Sequence, residues 1–585
     1  MLLPHGTGVG KLAHLGLSPG LLSAGLGSVP AEQTYLDITQ GNRVFDSLYD
    51  KKLPSSKGCG PKFWRAVKER ADSAPADIVP GLLTSTLEGA GIGVRVGGGT
   101  SCTFSSPAYG RQQQTAPPKK LSGAPHPHPP GTFEVRSSSL AGLSSLVENL
   151  QGDDLLIAIE RPPPAKDEAL SIGVAGRGFA GNLTSDSTRT EGYVLSTDVA
   201  PTVLRRLGVA IPSPMSGQPI RSEGAVDAAS VESRGERMAA IPGRRGGVIG
   251  LGLAIWLAGL GLLIAASRGA AARPGVELTG LSVVCMPLLL LLAAALDPSQ
   301  RVEQLLVIGG SPLLAWALLA ACRGYRALAL ASCLTVLAYA VDVIAGSPLT
   351  ALSLLGPNPG LGVRFYGIGN ELEALLSVLT IAGTGAALSG FVPRAGARRA
   401  AGAFLAVGLA AAFVFAAGRF GADVGAAIVL PLGAATAAAA IAARRWPTAL
   451  LVIAAPLIAV GLLVLIDLLS GANAHLTRSV LDAGGLGDLS DVAQRRLQLS
   501  SHSFARPVVF VFLPLIAAAA AWAALRRRTI AAWMRESAAL RAGLVGALLA
   551  TLAGALANDS GALMLEVGAA YLLVFLGFAW AEGTT

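Results

Sequence analysis

Charged and histidine side chains recur at the ends of long apolar segments in the second half of this chain. They are Arg364, Glu371, Glu373, Arg419, Asp423, Asp467, His475, Arg478 and Asp559. A charged side chain at the centre of a membrane helix costs about 2.5–3.5 kcal/mol on insertion scales, so charges kept in such segments suggest function. Arginine binds anionic groups, and histidine or glutamate can act as a general base.

The predicted topology brings these residues to the same outer face, and we predict two roles for them. We expect Arg364, Glu371, His475 and Arg478 to form a catalytic group. We expect Glu373, Arg419, Asp423, Asp467 and Asp559 to bind substrate. The alternative for any one of these residues is a structural role as a helix cap or in an ion pair between helices. Asn558 and Asp559 fit caps at a helix end, and Arg419 with Asp423 fits a local ion pair.

The segments that position these residues are apolar enough to cross a membrane. The chain has 585 residues, a mean hydropathy of +0.54 and only 14% charged residues. A bilayer core needs about 20 apolar residues in a helix. About eleven such spans are predicted, at 246–267, 276–296, 304–321, 327–345, 369–390, 400–417, 424–443, 448–469, 507–525, 538–556 and 562–580.

Arginines in alternate loops predict the orientation of these spans. They follow the odd-numbered spans, as at Arg268, Arg323 and Arg444, while the other short loops contain few. The positive-inside rule then places the arginine-bearing loops and the C-terminus in the cytoplasm and the N-terminal region outside. Arg244 and Arg245 are exceptions, because they lie on the outer side of the first span. The net charge of +9 therefore reflects membrane topology, and we expect no nucleic-acid partner.

An exported N-terminal region needs a signal, and residues 1–30 are a poor one. Pro19 and several glycines break the apolar stretch, so we expect the true start to lie upstream of Met1. Cys59 and Cys102 could pair in an oxidising compartment. The segment Gly6–Lys11 has glycines and a lysine but lacks the spacing of a phosphate-binding Walker loop.

The first part of the chain predicts an α/β domain. Helices are expected at 63–71, 85–90 and 137–150, and strands at 91–96, 154–160 and 171–175, with a loop over 104–131. This series predicts a parallel sheet covered by helices. The predicted organisation is an extracytoplasmic α/β domain at 1–220, a linker at 221–245 and an all-α membrane domain at 246–585.

The segment Asp198-Val-Ala-Pro-Thr202, followed by Gly208-Val-Ala-Ile-Pro212, resembles a helix and turn of the alkaline phosphatase and sulfatase superfamily. Leu170–Gly178 is similar to the strand before it. The resemblance implies that Asp198 is structural, and Asp198 fits the N-terminal cap of a helix that has Pro201 in its first turn.

The superfamily's Asp-His-Gly metal motif is missing, because the matching strand ends at Glu160-Arg161-Pro162. A metal site built from Glu160, Asp153 and His126 is the open alternative. We expect instead a degenerate domain that binds or scaffolds, with no metal and no cofactor.

Two further resemblances concern the membrane half. Arg364–Glu371 resembles a segment of actinobacterial-type multi-pass proteins that pair it with a phosphatase-like domain. His475-Leu-Thr-Arg478 is weakly similar to an outer-loop motif of O-antigen ligases. The leading hypothesis is that the chain handles a lipid-linked or phosphate-bearing glycan, or another anionic small molecule, at the outer face. A transporter or flippase, and a ligand-binding scaffold or sensor, are the alternatives.

Overall fold

The computed structural model contains two compact units. It describes residues 1–54, 60–74, 76–97, 102–104, 131–163, 169–392, 396–442, 454–462, 500–501, 503–507, 509–558 and 560–583. The first unit contains Met1–Ala240 and Asn358–Phe365, and the second contains Ile241–Pro357 and Tyr366–Thr585. The short segment Asn358–Phe365 thus belongs to the first unit although it lies between two membrane helices in sequence.

The first unit is built on a five-stranded sheet. Its strands are β1 (Leu2–Leu3), β2 (Ser18–Ser23), β5 (Leu155–Glu160), β6 (Leu170–Gly176) and β8 (Tyr193–Leu195), in the order β1-β5-β6-β2-β8. Strand β6 is antiparallel to both β5 and β2, whereas β1 is parallel to β5 and β2 is parallel to β8. The sheet is therefore mixed, and the expectation of a parallel sheet was wrong in the case of β6.

Short connections explain this antiparallel strand. A parallel neighbour needs a crossover of about a dozen residues or more, usually a helix. Strand β5 ends at Glu160 and β6 begins at Leu170, which leaves too little chain for that crossover. The two strands therefore pair as antiparallel neighbours.

Helices cover both faces of the sheet. They are α1 (Val9–His14), α2 (Ala31–Gln40), α3 (Pro61–Ala71), α4 (Leu82–Gly89), α5 (Leu140–Glu148) and α6 (Val199–Arg206). Alternate residues of β5 enter two different cores: Ile157 and Ile159 pack with α2 and α4 residues, and Ala158 packs with Leu12 of α1 and Leu143 of α5. This alternation is the period of two expected for a strand buried on both faces.

Two small sheets complete the first unit. One pairs β3 (Gly93–Val96) with β4 (Thr132–Val135), and the other pairs β7 (Asn182–Thr184) with β9 (Arg221–Glu223). The predicted helices at 63–71, 85–90 and 137–150 and the predicted strands at 91–96, 154–160 and 171–175 each overlap an observed element of the same type. Most of the predicted loop at 104–131, together with Cys59 and His126, lies outside the described residues.

The second unit is a bundle of long apolar helices. Helix α7 (Ala228–Arg245) enters this unit at Ile241 and continues through a π-helical turn at Gly246–Gly250 into α8 (Leu251–Ala266). The other helices are α9 (Ala272–Leu296), α10 (Gln300–Ala321), α11 (Tyr325–Ile344), α12 (Asn370–Phe391), α13 (Ala397–Ala416), α14 (Val424–Ala442), α15 (Val509–Leu525), α16 (Arg527–Trp533), α17 (Ala538–Ala557) and α18 (Gly561–Gly583). The predicted linker at 221–245 thus contains the whole of helix α7.

The described residues contain fewer membrane helices than the sequence predicted. Within the described ranges, nine helices are long and apolar enough to span a membrane, or ten if α15 and α16, which meet at a bend of 78°, form one span. We predicted about eleven. The span predicted at 448–469 accounts for part of the difference, because only 454–462 of it is described. The protein is a multi-pass membrane protein.

Glycines bring the bundle helices into close contact. A Cβ on Gly546 of α17 would collide with the main-chain oxygen of Gly433 in α14, and one on Gly543 would lie 3.0 Å from the oxygen of Ile381 in α12. Helices in a membrane associate through van der Waals packing, which small residues at the interface permit. Helix α17 is therefore held against both α12 and α14.

Candidate functional site

The best-formed candidate site of the first unit lies along one edge of its sheet. Because β6 is antiparallel to β5 and to β2, the strands β1, β5, β2 and β8 all run in one direction and end at the same edge. We call this the carboxyl edge. In open α/β sheets, ligands bind outside the carboxyl ends of the strands.

A histidine and a glutamate meet where β1 and β5 end. His5 Nδ1 lies 2.9 Å from Glu160 Oε1. The main-chain N–H of Gly6 donates to the same oxygen at 2.5 Å, and the N–H of Ser171 donates to Oε2 at 3.2 Å. The Glu160 side chain is 8% exposed and that of His5 is 53% exposed, so a buried carboxylate holds an accessible imidazole.

A small cleft opens where β2 and β8 end. Ser23, Gly25, Tyr193, Gly360 and Gly362 contribute to its lining. Gly362 has a positive φ of 70°, and a Cβ at this position would collide with the main-chain oxygen of Gly25, so only glycine fits there. Glycines thus form part of the wall of the cleft.

A guanidinium group holds the wall of this cleft. Arg43 donates from Nη1 to the Ser23 hydroxyl at 3.1 Å and from Nη2 to the main-chain oxygen of Gly362 at 2.6 Å. Burial lowers the pKa of Arg43, and the nearby carboxyls of Asp37 and Asp198 oppose this effect. A positive charge thus lies beside the cleft, held by neutral oxygen atoms.

Helix α2 adds a buried polar network to the same region. Asp37 Oδ1 accepts hydrogen bonds from Gln33 Nε2 at 2.7 Å and from Gln40 Nε2 at 3.0 Å. Arg70 Nη1 donates to Gln33 Oε1 at 2.7 Å and its guanidinium stacks over the Tyr49 ring. Burial raises the pKa of Asp37 to about 8. No motif in the sequence predicted this network.

The spacing of these polar residues was the signal that could have revealed the network. Gln33, Asp37 and Gln40 recur at the intervals that place side chains on one face of a helix. Pro30 immediately before α2 and Gly41 immediately after it, in the left-handed conformation, are typical boundaries of a helix.

Asp198 is buried and structural, but it does not cap α6 as expected. Its carboxylate makes no hydrogen bond to the first turn of that helix. It accepts instead from the hydroxyls of Ser185 and Ser187, both at 2.6 Å, and from the N–H groups of Leu195 and Gln218. The carboxylate therefore ties together three segments near the end of β8.

A joint metal site of Asp153 and Glu160 is ruled out by the strand between them. Asp153 precedes β5 and lies beside Arg177, whereas Glu160 is the last residue of β5. A strand rises about 3.3 Å per residue, so the two carboxyls lie at opposite edges of the sheet. Among the residues that the structure describes, no group of three or more metal-binding side chains is found.

In the second unit, the predicted site residues lie at one end of the bundle. We call it the Glu373 end: α9, α11 and α17 finish there, and α10, α12 and α14 begin there. Glu373 Oε2 accepts a hydrogen bond from Asn558 Nδ2 at 2.6 Å, and the Glu373 carboxylate lies against Gly425. Asp423 Oδ1 accepts from the Gly425 N–H at 2.9 Å. Glu373 and Asp423 therefore meet at the start of α14.

Glu371 is part of an ion pair at the same end. Arg245 Nη1 lies 3.2 Å from Glu371 Oε1, and Arg245 Nη2 donates to the oxygen of Gly356. Arg244 Nη1 lies 3.4 Å from Glu303 Oε2. These acidic partners explain why Arg244 and Arg245 depart from the arginine pattern of the loops.

The remaining predicted site residues are more scattered. Arg419 is exposed and lies 5.7 Å from the Phe420 ring centre. Arg364 is half-buried and belongs to the first unit, whereas Glu371, Glu373, Arg419 and Asp423 belong to the second. The predicted residues Asp467, His475, Arg478 and Asp559 lie outside the described residues.

Comparisons of the chain with protein-family models, curated proteins and solved structures gave no match. The fold and the sites define a class, that of a multi-pass membrane protein with an N-terminal α/β unit.

Proposed function

We propose that this protein handles a lipid-linked or phosphate-bearing glycan intermediate at the extracytoplasmic face of a cell envelope membrane, as a transferase or an assembly factor. The observation that carries the proposal is the gathering of charged and amide side chains at the Glu373 end of the bundle. Glu371, Glu373, Asp423 and Asn558 all lie there, on three different helices and their caps.

Three hydroxyls deeper in the bundle favour this proposal over a transporter. A transport path needs polar residues through the membrane depth. The hydroxyls of Ser332, Thr436 and Thr551 each donate to a carbonyl of their own helix, four residues earlier, and are therefore satisfied locally. The buried hydroxyls of Ser377 and Thr380 in α12 have no hydrogen-bond partner among the described residues, and they are the groups that a transport path would use.

The proposed working group keeps the predicted residues. Arg364 and Arg478 would bind the anionic part of the substrate, and Glu371 or His475 would act as base. Glu373, Arg419, Asp423, Asp467 and Asp559 would line the substrate site. The arginine pattern of the loops supports an extracytoplasmic N-terminal unit and a cytoplasmic C-terminus.

The N-terminal unit is proposed as a degenerate relative of the alkaline phosphatase and sulfatase superfamily. The helix α6 after Asp198 and the strand β6 before it support the likeness. A ligand-binding scaffold is the second candidate function, and the cleft beside Arg43 favours it because a positive charge there would attract an anion.

Lipid extracts of a deletion strain test the proposal. The strain is complemented with wild type, Arg364→Ala, His475→Ala or, as control, Arg398→Ala, which changes an exposed arginine at the start of α13. A lipid-linked species should accumulate in the deletion strain and with the first two variants, but not with the control. An unchanged lipid profile, with all variants present in the membrane, would favour the scaffold or a transporter.

A further inference from the structure

The His5 ring lies beside a carboxylate that the main chain holds in place. An ionised carboxylate only accepts hydrogen bonds. Glu160 accepts from Gly6 N–H and from Ser171 N–H, and His5 Nδ1 lies 2.9 Å from Glu160 Oε1, so a proton on Nδ1 of the neutral ring would face the carboxylate. The lone pair of the neutral imidazole is then on Nε2.

The backbone keeps this pair in place. Leu3 of β1 is in register with Glu160 of β5, so His5 follows its strand directly beside the carboxylate. The Thr7 hydroxyl donates to the oxygen of Pro4 at 2.6 Å, and Gly6 adopts a positive φ of 80°. This closed turn fixes the main chain on both sides of His5.

We propose that His5 is a catalytic proton acceptor at the carboxyl edge and that Glu160 is its positioning residue. Nε2 of His5 takes the proton from a water or hydroxyl nucleophile. The nucleophile's oxygen forms a bond to the phosphorus of a phosphoester, the bond from phosphorus to the leaving oxygen breaks, and that oxygen receives the proton from the imidazolium. Arg161, exposed directly after Glu160, supplies positive charge for the phosphate.

The inference goes beyond the proposed function and rests on it only for the substrate class, a phosphate ester of the lipid-linked kind. The inference assigns cleavage of a phosphoester to the N-terminal unit, whereas the proposal of a degenerate domain assigns only ligand binding to this unit. A positioned general base contributes about 10²–10⁴-fold to a rate. Removal of His5 is therefore expected to lower kcat by about 100-fold or more with little change in KM.

The first test measures the imidazole itself in the full-length protein in lipid nanodiscs. Diethyl pyrocarbonate modifies neutral imidazoles, and peptide mass spectrometry gives the rate at each histidine. The control is His14, an exposed histidine in helix α1 of the same unit. At pH 8, we expect His5 to react several-fold faster than His14 because the carboxylate partner makes Nε2 more nucleophilic, and Glu160→Leu to remove the difference. Equal rates in the wild type, or no effect of Glu160→Leu, would overturn the dyad.

The second test measures turnover of bis(4-nitrophenyl) phosphate by the same preparation. The His5→Ala variant should lose at least about 100-fold in kcat, and added imidazole should restore part of it, while His14→Ala should match the wild type. Glu160→Gln keeps an oxygen acceptor for Nδ1 and should retain more activity than Glu160→Leu, with a changed pH profile. Absence of wild-type turnover, or of imidazole rescue, would refute the catalytic role.

The two proposals fail separately. Turnover that depends on His5, together with an unchanged lipid profile in the deletion strain, would uphold the dyad and reject the glycan role. A changed lipid profile that His5→Ala fully complements would uphold the glycan role and reject the dyad.

Discussion

Replacement of Asp37 by asparagine should stabilise the N-terminal unit strongly at pH 8 and by only about 1–2 kcal/mol at pH 5. Asp37 is fully buried in α2, and burial raises the pKa of its carboxyl from 3.8 to about 8, although Gln33 and Arg43 act in the opposite direction. Its Oδ2 atom makes no hydrogen bond to a described residue. The folded unit therefore favours the neutral acid, which asparagine resembles in shape and hydrogen bonding.

The direction and size of the effect follow from proton linkage. Because the pKa of Asp37 is higher in the folded state, the folded chain keeps a proton that the unfolded chain releases as the pH rises above about 4. The contribution of Asp37 to the free energy of unfolding is therefore present in full below about pH 4. It is lost progressively as the pH rises to about 8. At about 1.4 kcal/mol per pH unit, the upper bound of the loss is on the order of 5 kcal/mol.

Hydrogen exchange with mass spectrometry measures this effect in the full-length protein. Peptides that cover Ala31–Gln40 are followed from pH 5 to pH 8, with rates corrected for intrinsic exchange. The wild-type protection should fall by orders of magnitude across this range, whereas the Asp37→Asn protection should stay level. The control is Asp50→Asn, which changes an exposed residue of the same unit and should follow the wild type. The reasoning is refuted if Asp37→Asn loses protection with the same slope as the wild type.

Three other substitutions have defined outcomes. Glu373→Leu leaves the buried amide of Asn558 without its acceptor and should destabilise the bundle by about 1–3 kcal/mol. Glu373→Gln should destabilise the bundle less, and thermal unfolding in detergent compares the two variants. Gly362→Ala forces a left-handed alanine into a main-chain oxygen and should lower the melting temperature, while Gly60→Ala, which meets nothing within 4 Å, should not. Asp198→Ala removes the acceptor of two hydroxyls and two N–H groups, and proteolysis of the N-terminal unit should become much faster.

Apolar periodicity and length carried most of the fold prediction. The membrane helices were visible because a bilayer requires long uncharged segments, and the predicted span at 369–390 lies within one residue of Asn370–Phe391. The antiparallel direction of β6 was harder to predict, because a buried strand has the same apolar pattern in either direction. Only the length of the connection to β5 distinguishes the two.

The candidate site residues at the Glu373 end stood out in the sequence, whereas those at the carboxyl edge did not. A carboxylate such as Glu373 stands out in an apolar segment, since its charge is costly there. In the N-terminal unit, charged residues are common, and the partner of His5 lies far along the chain at Glu160. Only the parallel pairing of β1 with β5 brings these two residues together, so no local spacing in the sequence could reveal them.

Helix α2 shows a different reason for failure. Its residues Gln33 to Gln40 are all buried, so the helix has no apolar face set against a solvated one, and the amphipathic pattern that predicts most surface helices is missing. Polar groups can be buried at such a density only if they bond to one another, as Asp37 does with Gln33 and Gln40. The hydrogen bonds of such a buried network hold its side chains in one arrangement. Because the network lies beside Arg43 and the cleft, its rigidity supports the view that the carboxyl edge is a binding surface whose shape must be maintained.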